Sequence, residues 1–149
     1  MSKVIKATAI IGIISLASFY VVKPQYEIYQ VKKVLSAPII FGQSILPKIT
    51  TLIEQKGYFP STTEIAESGI NSRNSQLIAY ISSTGDNQMV DGEIKLVLTN
   101  TDIAPELLSQ KIIFVKDEEG NWQCTLTIAA KYRPDNCALT PPPQPVYAG

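Results

Sequence analysis

Two cysteines carry the clearest chemistry in this chain: Cys124 and Cys137, with twelve residues between them and no third thiol anywhere. A lone pair at this spacing suits a disulfide in an oxidising compartment better than a cytosolic redox motif. Closing a loop of that size contributes about 3 kcal/mol in the chain-entropy account. With Cys124 on the inward face of a strand, the bond would staple the irregular segment 130–136 onto a sheet and hold it rigid for contact. That segment contains Lys131, Tyr132 and Arg133, an aromatic ring between two cations and a candidate surface contact loop. The trio could meet a protein, and it also has the stacking and phosphate-pairing groups of a single-strand nucleic-acid binder. The formal net charge is zero, so nothing global pulls the chain toward nucleic acid, and a protein partner ranks first.

Other chemistry falls away on residue types. Asp117, Glu118 and Glu119 are consecutive and lack the alternating ligand spacing of a calcium loop, so they read as a solvated turn. The chain has no histidine, which removes the commonest general base and the commonest metal ligand. No Ser, Thr or Lys stands in a nucleophile motif. The reading is therefore a protein that is not an enzyme and takes no metal or cofactor.

The cysteines need a sheet to hold them. Trp122, Cys124, Leu126 and Ile128 alternate with Gln123, Thr125 and Thr127, the period of a half-buried strand. Ile94, Leu96 and Leu98 alternate in the same way with Lys95, Val97 and Thr99. Residues 77–82 and 111–116 supply two further strands. Turn chemistry separates them at Asp86, Asn87 and Gln88 with Asp91 and Gly92, and again at residues 117–121. Upstream, Ile28, Val31, Val34, Leu35, Ile45, Ile49, Leu52 and Ile53 recur at helical spacing and predict one long stalk helix, buried along one face. Pro24, Pro38 and Pro47 predict bends in it, most plainly near Ala37 and Pro38, and Gly57 is its natural stop. Residues 61–75 read as a polar loop with one short helical turn.

Residues 7–22 are uncharged and apolar, spanning about 24 Å as a helix against a hydrocarbon core of roughly 30 Å. Val4 and Ile5 extend the stretch, because Lys6 can snorkel to the headgroups. The apolar surface continues past Val22 into the stalk, which favours a membrane anchor over a signal peptide cut at Ser15, Leu16 and Ala17. Thr8, Ala9, Gly12, Ser15 and Ser18 form a small-residue stripe suited to close helix packing in the membrane. The chain thus divides into an anchor at 1–23, a stalk at 24–57, an α+β head at 58–139 and a Pro-rich, extended tail at 140–149.

The motifs also resemble a family. Gly120, Trp122 and Cys124, followed by Lys131, Tyr132, Pro134 and Cys137, are similar to the C-terminal disulfide region of type IV pilins. Ala9, Ile10, Ile11, Gly12 and Ile13 resemble the apolar run of the pilin membrane helix. Pro24, Tyr26 and Tyr29 resemble the segment that follows it, and Gly57, Phe59, Pro60 and Ser61 the motif that ends the long helix. The resemblance implies a long N-terminal helix, half in the membrane, on a four-stranded antiparallel sheet with a disulfide-bonded region at its end. Pilins begin with a leader ending in Gly, cut by prepilin peptidase, and carry a Glu soon afterwards that pairs with a neighbour's new N-terminus. The corresponding stretch here, residues 1–7, has neither Gly nor Glu, and its charges are positive. The gap from Gly12 to Pro24 is also longer than usual by about one helical turn. The expectation is a pilin-like accessory protein with an uncleaved helix, held in the inner membrane by a single pass with its C-terminal domain in the periplasm. It would contact the major pilin or the inner-membrane assembly platform. The alternative is a minor or DNA-uptake pilin that enters the filament.

Overall fold

The structure, a computed structural model, describes the backbone of residues 2–85, 88–99, 101–102 and 104–137, and the side chains within those ranges from residue 23 onward, Asn74 excepted. Helix α1 runs from Ser2 to Lys56, 55 residues or about 80 Å. Pro24, Pro38 and Pro47 all lie inside it, and the helix runs on through all three. Magnitudes account for this. A helix-interior proline costs about 3 kcal/mol, whereas each buried Ile, Leu or Val returns roughly 1.5–3 kcal/mol. Val31, Leu35, Ile39, Ile45, Ile49 and Ile53 are all buried along one face of α1. The helix ends as expected at Gly57, whose φ is +78°, and whose N–H donates to the Ile53 carbonyl at 2.8 Å. That is the left-handed cap glycine provides without a Cβ penalty.

Residues 61–75 hold more helix than one turn. Helix α2 spans Thr62–Glu67, and a short 3₁₀ turn follows at Ser72–Asn74. Strands β1 (Ile78–Ser83), β2 (Gly92–Leu98), β3 (Lys111–Lys116) and β4 (Trp122–Leu126) then form one antiparallel meander in chain order. Ile128 was expected on the last strand but lies beyond its end, buried nonetheless. Register aligns Ile94 with Phe114 and Cys124, and Leu96 with Ile112 and Leu126. These rows form the inward face and join the buried face of α1 in one core. At Gly42 helix and sheet come so near that an added Cβ would stand 2.6 Å from Phe114 Cζ and 2.9 Å from Leu96 Cδ1. Only glycine lets the helix sit this near the sheet.

Among the described residues, no helix is long and apolar enough to cross a membrane. The expected span at 7–22 and its stripe Thr8, Ala9, Gly12, Ser15 and Ser18 lie outside the residues whose side chains are described. Asp86, Asn87 and the tail at 140–149 also lie outside the described residues.

Candidate interaction surface

Cys124 shares the inward row of β4 with Trp122 and Leu126, and its sulfur is bonded to that of Cys137. Cys137 is itself buried. Between them lie two 3₁₀ turns, Ala130–Tyr132 and Asp135–Cys137, and both touch α1. Gln43 Nε2 on α1 donates to the Asn136 carbonyl at 3.1 Å, and Arg133 Nε donates to the Ile128 carbonyl at 3.0 Å. The disulfide therefore holds its segment against both the sheet and the helix.

The three candidate contact residues emerge with different freedoms. Lys131 is exposed, whereas Tyr132 and Arg133 are half-buried. Tyr132 packs on the core, and Lys131 Nζ stands 4.7 Å from its ring centroid, a distance at which the cation is attracted to the ring face. A nucleic-acid base could stack on Tyr132 only after Lys131 moved aside. What the turn offers as it stands is a rigid cationic and aromatic knob, fixed by the disulfide, the Gln43 and Arg133 side-chain bonds and the backbone bonds of its own turns.

At the far end of α1 a second cluster anchors residues 58–75. Glu64 is its hub. Its Oε1 accepts from Lys56 Nζ and from the Tyr58 hydroxyl, both at 2.8 Å. Its Oε2 accepts from the Ser61 N–H at 2.8 Å and from Ser61 Oγ at 3.0 Å. Hydrogen bonding from Lys56 first, then from Ser61 and Tyr58, brings the Glu64 carboxyl down to about 2. The same partner raises the Lys56 ammonium above its ordinary value. Beside this hub Phe59 is fully buried, its ring 6.1 Å from that of Trp122. Trp122 Nε1 in turn donates to Thr50 Oγ1 on α1 at 3.1 Å. Among the described residues, no group of three or more Cys, Asp or Glu side chains is arranged to hold a metal ion.

Compared with known protein families, residues 46–138 match pilin, the bacterial filament protein. The chain belongs to the pilin family. A comparison with curated proteins found no match. The family assignment agrees with the architecture: a long N-terminal helix, a four-stranded antiparallel sheet, and the Cys124–Cys137 disulfide beyond it. Pilins are structural rather than enzymatic, they associate with other pilus components, and they work at the pilus or the membrane it grows from. The match begins at Leu46, in the last third of α1, and covers the whole sheet and both cysteines.

The Cys124–Cys137 bond expected from the sequence is present, whereas the Glu64 hub was missed. A signal was present: Ser61 followed three residues later by Glu64 is a capping box. Also missed was Lys116, which the register places on the inward face, buried, with Nζ donating to the Val90 carbonyl at 3.4 Å. A terminal lysine on an apolar strand gives no local sign of this.

Proposed function

We propose that this pilin-family chain is a membrane-anchored accessory of type IV pilus assembly, which keeps its N-terminal helix intact and contacts pilin or the inner-membrane assembly platform. The observation that carries this reading is the charge pattern of α1. Lys3, Lys6 and Lys23 are its only charged residues before Glu27. A filament subunit of the ordinary kind places a carboxylate near the start of this helix to meet a neighbour's amine. A lysine there meets the amine with like charge, which opposes that pairing. The apolar stretch 7–22 would hold the chain in the inner membrane by one pass, with the head in the periplasm, where a disulfide is maintained.

A second reading, a minor or DNA-uptake pilin incorporated into the filament, is favoured by the head. Both cysteines and all four strands fall within the family match. The 131–133 turn would then supply the filament's contact. Intact mass of the membrane-extracted protein, from cells with and without prepilin peptidase, separates the two. An unshortened chain in both strains is the expected result. Peptidase-dependent shortening would make the protein a filament subunit, and loss near Ala17 in both strains would make it an exported domain with no anchor.

A further inference from the structure

We propose that the outer edge of β4 is a docking site for an extended segment of a partner protein, added to the sheet as a further antiparallel strand. Hydrogen bonds at both ends of the β3–β4 ladder set its phase. The Asp117 N–H donates to the Asn121 carbonyl at 3.0 Å, and the Thr127 N–H to the Lys111 carbonyl at 3.1 Å. Gln123 and Thr125 therefore bond to β3, while the N–H and C=O groups of Trp122, Cys124 and Leu126 point out of the sheet. Among the described residues, none bonds to these outward groups.

The two edges of the sheet differ in their defences. On β1 a bulge breaks the register between Ile78 and Tyr80. Thr62 Oγ1 accepts the Ser83 N–H there at 2.9 Å, and the Ser72 hydroxyl donates to the Ala79 carbonyl at 3.3 Å. Such devices stop a sheet from growing. Strand β4 has none of them: its 5 residues pair with β3 in unbroken register and include neither proline nor lysine. An edge about 17 Å long then offers main-chain donors and acceptors to an added strand.

Charge sets the direction of the occupant. Glu118 and Glu119 are exposed in the turn before Trp122. In that turn the Asp117 carboxylate is taken by Asn121, and Lys116 is turned inward to the Val90 carbonyl. At the other end Lys111, bonded across the ladder to Thr127, is exposed, as is Lys131. Arg133 is half-buried there, and Asp135 is the one carboxylate in residues 128–137. The edge thus runs from acid before Trp122 to base beyond Leu126. An antiparallel occupant starts with a carboxylate beside the bases and ends with a cation beside the acids. Its apolar side chains fall at alternate positions, in row with Trp122, Cys124 and Leu126. The β4 strand of a second copy would match these charges too. Its two-fold axis, however, stands normal to the sheet and reverses α1, so the N-terminal ends of the two long helices point opposite ways. Two chains anchored in one membrane cannot pair like this, and the choice of a partner segment over a second copy rests on the anchor reading above.

The test is amide hydrogen exchange, followed by NMR on the full chain in detergent micelles. The probe is an end-blocked peptide of alternating valine and threonine, with glutamate first and lysine last. Millimolar peptide should slow exchange at Trp122, Cys124 and Leu126 and leave Gln123 and Thr125 unchanged, because those two are already bonded. Exchanging the peptide's end charges should weaken binding about fivefold, as two exposed ion pairs are lost. Lys131→Glu should narrow that preference. Proline in place of the valines removes every peptide N–H that faces β4 and should abolish the protection. No protection by the valine peptide, or equal protection by the proline peptide, would overturn the proposal. So would exchange at Trp122 and Cys124 already as slow as at Gln123 before peptide is added. Slowing that grows with protein concentration would then assign the edge to a second copy, and slowing that does not would assign it to the chain itself. The anchor reading is judged separately, by the intact mass.

Discussion

Residues 58–75 and residues 128–137 both leave regular structure and both return to the sheet, the first at the β1 edge and the second beside β4. The β1 side is fastened by many weak polar contacts around one apolar plug. Phe59 sits buried over Gly92, Glu64 gathers four donors, Thr62 Oγ1 accepts from the Ser83 N–H at 2.9 Å, and Ser83 Oγ donates to the Pro60 carbonyl at 2.7 Å. The β4 side has one covalent bond, with Gln43 and Arg133 adding single hydrogen bonds. The first fastening acts in the folded state and responds to protonation. The second acts largely on the unfolded chain, by shortening the loop it can explore, and responds to reductant.

Phe59→Ala should break the comparison most severely. Removing a fully buried aromatic ring costs about 3–5 kcal/mol, so thermal or urea unfolding of the disulfide-intact variant should show a larger loss than any change at the β4 side. A loss below that of the disulfide variant would mean the polar contacts, not the plug, hold residues 58–75. Next comes the double variant Cys124→Ser, Cys137→Ser, expected to lose about 3 kcal/mol. Added reductant should lower the stability of the parent and leave the double variant unmoved.

Acid titration sharpens the contrast by a smaller effect. The folded Glu64 carboxyl titrates near 2 against an ordinary 4.5. Its stabilising contribution is thus complete above pH 4.5 and is lost as pH falls from there through about 2. Unfolding midpoints measured across that window should fall more for the parent than for Glu64→Gln, and the cysteine variant should keep the parent's acid slope. Lys56, whose value is raised, contributes below its ordinary 10.5 and loses that contribution as pH rises through the raised value. The smallest expected effect is Gln43→Ala. It should cost about 1 kcal/mol or less, as one exposed hydrogen bond does, while speeding amide exchange at residues 135–137. A loss matching that of the cysteine variant would mean that α1, rather than the disulfide, secures this segment.

Strand periods were legible because they depend on neighbours two residues apart. Residues 111–116 fall on β3 without adjustment, and β1 is displaced by a single residue from the 77–82 read from its apolar run. The Gly57 stop and the disulfide were equally local: a residue free to adopt positive φ, and two thiols with no rival partner. The capping box at Ser61 and Glu64 was written in the chain, though Lys56 and Tyr58 as further donors to the same carboxylate were not. The alternation on β2 was half informative. Ile94, Leu96 and Leu98 face the core as the pattern requires, but Val97, on the opposite face, is buried too.

By itself, then, the sequence determined the long helix and the existence of four strands, where that helix stops, and which two sulfurs bond. Tertiary structure alone decided the register that turns Lys116 inward, the gap at Gly42 that the Phe114 ring fills, and the meeting of Phe59, Trp122 and Thr50. The reason lies in range. Propensity, capping and periodicity act within a few residues, whereas these contacts join positions tens of residues apart, and close packing selects them only once helix and sheet are in place.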